Sequence, residues 1–442
     1  MSSPFDLELI MPANPRLDPS NSPYHIDMLP TEILYMVFDI FSRLSSSGRG
    51  QVQPIVLLSH ISQHWRHVAL GAPALWNKLD IYSYKRPDVL RTFLSRSDQR
   101  SLYIRIDWPE TIFYSGDEIP DFTDTCNALS GELHRIKRLS ITARNFTLRR
   151  LTEKVLVDVQ LSHLQYLELV SVHDYALMIL GPFRFNPQVF DTLHVEHTMI
   201  EVRDGRCLSG LRRAVFTRAP LSYLDERQIP SAAFPVTPIN WYTDLPTPSL
   251  SRLEDLRIHA PLLHPVPGRT VPVLTGPNGQ VFPPLPFAPS FRARMLRSVT
   301  LSSLSDSSLP YQAEVTPEVL KRLFFILTIA ELQEMHLIDF RDQAIEGLFQ
   351  ALGTLHCRFS YLEKLKITRS PIEDMVQYSE TMGMANFEAL CCNAFPLVSE
   401  VYLNNLDPEP LVDMLGQITM FPSLQKVEYG GSILNVRIPS RI

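Results

Sequence analysis

A short motif, apolar-x-x-apolar-x-apolar, recurs along most of this chain and constrains its fold more than any other feature. Copies occur at Ile136/Leu139/Ile141, Leu164/Leu167/Leu169, Phe190/Leu193/Val195, Leu211/Ala214/Phe216 and Leu253/Leu256/Ile258. Further copies fall at Leu296/Val299/Leu301, Leu332/Met335/Leu337, Leu362/Leu365/Ile367, Val398/Val401/Leu403 and Leu424/Val427/Tyr429. They recur every 21–43 residues. The last two apolar positions of each copy lie two residues apart, the period of a strand with one buried face. Helix-start signals stand between later copies. Thr316-Pro317-Glu318, Ser370-Pro371 and Asp407-Pro408 each place a capping side chain before a proline, which belongs in a first helical turn. Strand and helix therefore alternate, which predicts an α/β fold. Two architectures satisfy that alternation: a stack of repeated units and a doubly wound sheet.

The chain has 442 residues, 45% apolar and 20% charged, with a net charge of −6. It is long enough for a large core and too apolar for bulk disorder. The acidic balance argues against a dedicated nucleic-acid binder, which carries a clustered basic face. Only 17 Gly stand beside 36 Pro, and neither G-x-G-x-x-G nor G-x-x-x-x-G-K-[ST] occurs, so no phosphate loop is expected. H-E-x-x-H and G-x-S-x-G are also missing. His194 and His197, three apart on a strand, are expected on opposite faces and hold no shared metal. The expectation is a protein without a catalytic site, a metal or a cofactor.

Five Cys at irregular spacing, with no C-x-x-C, fit reduced thiols in the cytoplasm or nucleus. The first residues lack the basic and apolar regions of a signal peptide. No apolar run approaches the about 20 residues a membrane helix needs, so no membrane partner is expected. Residues 1–27 hold Pro4, Pro12, Pro15, Pro19 and Pro23 and read as a flexible tail. Residues 228–249 and 260–290 interrupt the strand rhythm with fourteen Pro. They read as surface insertions that cannot be central strands and are candidates to contact a partner.

Residues 28–76 have a different character. Leu29-Pro30-Thr31-Glu32-Ile33-Leu34 opens a helix, with apolar residues continuing at Val37, Phe38 and Phe41. A Ser/Gly loop follows. A second helix is expected from Pro54, carrying Leu57, Leu58, Ile61, Trp65, Val68 and Ala69, with Gly71 in a left-handed cap. Two short helices cannot cover so many apolar side chains between them.

The order Leu29-Pro30-x-Glu32-Ile33-Leu34, Val37-Phe38, Leu57-Leu58, Ile61, Trp65-Arg66, then Pro73-Ala74-Leu75-Trp76, resembles the F-box, in its fungal form. Ser62 and Gln63 stand where that family often has Cys-Arg, and residues 42–53 form a longer loop than usual. The later motif copies resemble leucine-rich repeats. That family's asparagine positions hold Arg144, Val172, Pro261, Phe340, Ser370 and Leu406 here, so the repeats are irregular.

Together the resemblances imply an N-terminal F-box at 28–76 and an irregular leucine-rich-repeat solenoid, a horseshoe, over 77–442. They imply a substrate-recognition subunit of an SCF (Skp–cullin–F-box) ubiquitin ligase. Leu29, Pro30, Ile33, Leu34, Val37, Phe38, Leu57, Leu58, Ile61 and Trp65 would dock on the Skp adaptor and through it a cullin. The repeats would hold a client protein. The competing reading is a structural repeat protein whose helical hairpin only caps a solenoid.

Overall fold

The computed structural model describes residues 29–44, 53–108, 120–157, 159–172, 178–202, 208–217, 237–238, 252–259, 295–302, 331–339, 348–349, 352, 358–368, 384–404, 421–429 and 432–435. The expected N-terminal tail, most of both Pro-rich insertions and the helices expected after Thr316, Ser370 and Asp407 lie outside these residues. The chain divides into two compact units, residues 1–77 with 95–98, and residues 78–94 with 99–442.

The described part of the first unit is helical: α1 (Thr31–Leu44), α2 (Pro54–Leu58), α3 (Gln63–Leu70) and a 3-10 turn (Pro73–Trp76). The single second helix expected from the sequence is broken in two. The Ser59 hydroxyl donates to the Val56 carbonyl at 2.7 Å, closing α2. The Ser62 hydroxyl accepts from the Trp65 N–H at 3.2 Å, capping α3. Serine side chains that bond nearby backbone offer the chain a local alternative to continued helix. Gly71 is likewise not left-handed; its φ of −78° lets α3 end in an ordinary turn. Trp76 is fully buried, donates Nε1–H to the Ala69 carbonyl at 2.7 Å, and lies under the Arg96 guanidinium.

The second unit is α/β. Its strands are β1 (Lys78–Ile81), β2 (Leu102–Trp108), β3 (Ile136–Ala143), β4 (Gln160–Leu161), β5 (Tyr166–Ser171) and β6 (Met178–Phe185). They continue with β7 (Thr192–Glu196), β8 (Thr198–Val202), β9 (Arg213–Thr217), β10 (Thr237–Pro238), β11 (Asp255–His259) and β12 (Ser298–Ser302). The last are β13 (Glu334–Ile338), β14 (Lys364–Thr368), β15 (Glu400–Asn404), β16 (Lys426–Tyr429) and β17 (Ser432–Asn435). The described helices outside the first unit are α5 (Pro120–Gly131), α6 (Asn145–Val155) and α7 (Met384–Ala394); α4 (Pro87–Arg96) runs across the division.

Thirteen strands form one sheet in the order β1-β2-β3-β5-β7-β9-β11-β12-β13-β14-β15-β16-β17. Every pairing is parallel except the last, where β17 turns back on β16. Each of the ten motif copies supplies one strand. Their apolar positions fall in register: Leu139, Leu167, Leu193, Ala214, Leu256, Val299, Met335, Leu365, Val401 and Val427 stand side by side. All ten are buried, forming one apolar row down the sheet.

A second repeating detail joins consecutive units just before their strands. The Gln333 carbonyl accepts both the Glu363 and Lys364 N–H, at 2.9 and 3.0 Å. Glu363 does the same for Ser399 and Glu400, and Ser399 for Gln425 and Lys426. Near β9, Gly210 packs so closely that a Cβ would lie 1.7 Å from the Pro187 carbonyl oxygen, a space only glycine fits.

A smaller sheet runs β10-β8-β6-β4. Its strand β10 falls inside the first Pro-rich insertion. It holds Pro238 at a sheet edge, where the missing N–H breaks no ladder.

Candidate functional site

Helix α1 starts cleanly. The Pro30 carbonyl accepts the Ile33 and Leu34 N–H at 3.0 and 3.1 Å, and Glu32 lies in the positive first turn. The helix then presents two apolar faces. Leu34 and Phe38, four apart, are fully buried, and the Phe38 ring meets Trp65 of α3 with centroids 5.0 Å apart. Leu58 of α2 and Val68 and Ala69 of α3 are buried too.

The other face stays in water. Ile33 is 44% exposed and Val37 41%; Met36, Ile40 and Phe41 are also exposed. These positions follow the i, i+3, i+4, i+7, i+8 rhythm of a complete helix stripe. At about 100° per residue they sweep about 140° of the helix, as wide as a stripe that ordinarily faces a core. Leu57 at 51% and Ile61 at 56% add two more exposed apolar side chains, one on α2 and one in the break after it.

The ten residues expected to dock therefore separate. Pro30, Ile33, Val37, Leu57 and Ile61 are exposed, and Leu29 is half-buried. Leu34, Phe38, Leu58 and Trp65 point inward and build the hairpin. Leu34 and Phe38 share one side of α1 because residues four apart stack along a helix, and here that side meets α3 through Phe38 and Trp65. Met36, Ile40 and Phe41 belong to the exposed stripe and are not among the expected ten. The signal for them was a second i, i+3, i+4 series running beside the first. The indole Nε1 of Trp65 has no hydrogen-bond partner among the described residues.

The outward face of the large sheet is polar. Glu168 on β5 accepts from the Ser140 hydroxyl and from His194 Nδ1–H, the latter at 2.7 Å. Burial alone would raise the Glu168 carboxyl. Those two hydrogen bonds, then the charges of His194 and Arg138, reverse the effect and hold it at about 2, below its usual 4.5. A carboxyl lowered by folding stabilises the fold above its unfolded value, and that stability is lost as pH falls through the folded value. The advantage of the native chain over Glu168→Gln is therefore expected in full at neutral pH and to shrink between pH 4.5 and about 2. Urea midpoints of both proteins across that window test this; a constant difference would disprove the assignment.

His259 and His336 are lowered chiefly by burial, then by the charges of Arg257 and Lys366 respectively. His197 lies past the end of β7 at a φ of 53°, so strand alternation does not govern its direction as expected. Cys391 on α7 is buried and its thiol is pushed up to about 12 by that burial, which suits a packed side chain rather than a nucleophile. Among the described residues no cluster of His, Cys, Asp or Glu could hold a metal ion, and no helix is long and apolar enough to cross a membrane. No protein-family model and no curated protein matched this chain.

Proposed function

We propose that residues 28–76 are an F-box docking on the Skp adaptor, and that the chain is a substrate-recognition subunit of an SCF-type ubiquitin ligase. The second unit would be an irregular leucine-rich-repeat solenoid that holds the client protein, in the cytoplasm or nucleus. The chain itself would catalyse nothing; it would bring a client to the ligase. The observation that carries this reading is the exposed stripe Ile33, Met36, Val37, Ile40 and Phe41 on α1. A helix whose second apolar face stays in water is suited to an apolar partner, since each such side chain removed from water contributes about 1.5–3 kcal/mol. The in-register row of buried motif residues supports the repeat reading of the sheet.

The test is binding of the full chain to recombinant Skp adaptor by calorimetry. Ile33→Asp with Val37→Asp is expected to weaken binding by about a hundredfold or more, since interface anchors carry about 2 kcal/mol each and every 1.4 kcal/mol is about tenfold. Both side chains are exposed, so the helical circular dichroism and melting temperature should stay at wild-type values. Undiminished binding by this variant, or no binding by the wild type, would refute the proposal.

A further inference from the structure

The outward face of the sheet is a ladder of charges that mostly neutralise one another. Arg213 and Arg257 share Asp255 at 3.4 and 3.1 Å, Lys364 meets Glu400 at 3.5 Å, and Lys426 meets Glu428 at 3.1 Å. Lys366 pairs with Glu334. The first strands break this pattern. Lys78 on β1 stands beside Tyr103 on β2, Tyr103 beside Arg138 on β3, and Arg138 beside Tyr166 on β5. Two residues along each strand, Asp80 stands beside Arg105, Arg105 beside Ser140, and Ser140 beside Glu168. Lys78, Tyr103, Arg105 and Arg138 are all exposed. With strands about 4.8 Å apart, the cations and tyrosines share a field about 14 Å across.

Among the described residues, Lys78, Arg105 and Arg138 form no salt bridge. The nearby acids are engaged. Glu168 is held by Ser140 and His194 and also feels the charge of Arg138, and Asp80 and Asp107 have interactions of their own. The Arg138 guanidinium carbon lies 3.9 Å from the centre of the Tyr166 ring, and its side chain also hydrogen-bonds Tyr166. A guanidinium carries five N–H donors, so others are left for a carboxylate.

We propose that Lys78, Tyr103, Arg105 and Arg138 form a subsite for an acidic segment of the client polypeptide. This rests on the reading that the second unit holds the client. Side-chain carboxylates of that segment pair with Arg105, Arg138 and Lys78, and its backbone and methylenes pack on Tyr103. A single-stranded nucleic acid is the weaker occupant. Such strands gain affinity by stacking successive bases on open aromatic rings, and Arg138 already covers Tyr166.

The experiment uses the full chain and three probes of equal length: a fluorescein-labelled peptide of alternating Glu and Ser, the same peptide with Lys for Glu, and oligouridylate. Fluorescence anisotropy is expected to show binding of the Glu peptide alone, weakening as salt rises. Arg105→Glu with Arg138→Glu should reduce that affinity by about tenfold or more, the loss of one to two charge-assisted hydrogen bonds. If charge reversal lowers the melting temperature, Arg105→Gln with Arg138→Gln serves instead. Equal peptide affinity in the variant, no Glu-peptide binding by the wild type, or tighter binding of oligouridylate would each overturn the inference. Adaptor binding is measured in parallel. A wild type that binds adaptor but not peptide refutes this subsite alone, and one that binds peptide but not adaptor refutes the ligase reading alone.

Discussion

Trp65→Ala is expected to unfold the N-terminal hairpin, at a loss of about 3–5 kcal/mol for removing a buried aromatic side chain. Trp65 is 5% exposed, and its ring meets Phe38 across the hairpin at 5.0 Å. The helices it joins have 14, 5 and 8 residues, and helices that short are marginal in water without tertiary packing. Trp65→Phe should behave differently. It keeps an aromatic ring against Phe38 and removes an indole N–H that has no partner among the described residues, a group whose burial costs about 1–3 kcal/mol. Thermal unfolding followed by far-ultraviolet circular dichroism should show a large loss for alanine and a small change for phenylalanine. An alanine variant with unchanged melting would contradict the packing role. On the proposed docking, adaptor binding should fall with Trp65→Ala because the fold is lost, in contrast to Ile33→Asp with Val37→Asp, where the fold stays.

The second large effect lies in the sheet unit. Trp108 ends β2, fully buried, with its ring edge-on to Tyr84 at 5.7 Å and to Phe122 of α5 at 5.8 Å. Tyr84 and Phe122 meet each other at 5.9 Å, closing a three-ring cluster. Trp108→Ala removes the shared member, so about 3–5 kcal/mol is expected, together with part of the about 0.5–1.5 kcal/mol that each aromatic pair adds beyond burial. Its Nε1 also has no hydrogen-bond partner among the described residues. Trp108→Phe should therefore retain most of the stability. Urea unfolding of the three proteins decides the matter. Equal losses for alanine and phenylalanine would mean that the indole, rather than the ring cluster, holds this region.

The strands were legible because their signal is local. Leu193 and Val195 alternate with polar neighbours inside five residues, and all ten motif copies fall on strands of one sheet. That those strands lie parallel and in chain order was not written in any one copy; it arises from how consecutive units meet. Strand β6 escaped notice because Gly181 and Pro182 interrupt its alternation. The hairpin shows the same division. Its apolar content was plain, and the exposed and buried faces were not, since Ile33 and Leu34 are neighbours of similar chemistry with opposite surroundings. The break between α2 and α3 depends on two serine hydroxyls choosing nearby backbone partners, which periodicity does not register.

The constant register of the parallel strands sets how this chain tolerates changes of length. Leu256, Val299 and Met335 stand abreast on β11, β12 and β13. Excising β12 with its whole connection would leave Leu256 opposite Met335, with every side chain facing as before. Deleting one residue inside β12 would instead turn its apolar side chains outward. Strand register alone therefore does not oppose the loss of a whole strand, whereas a single-residue slip within a strand inverts it.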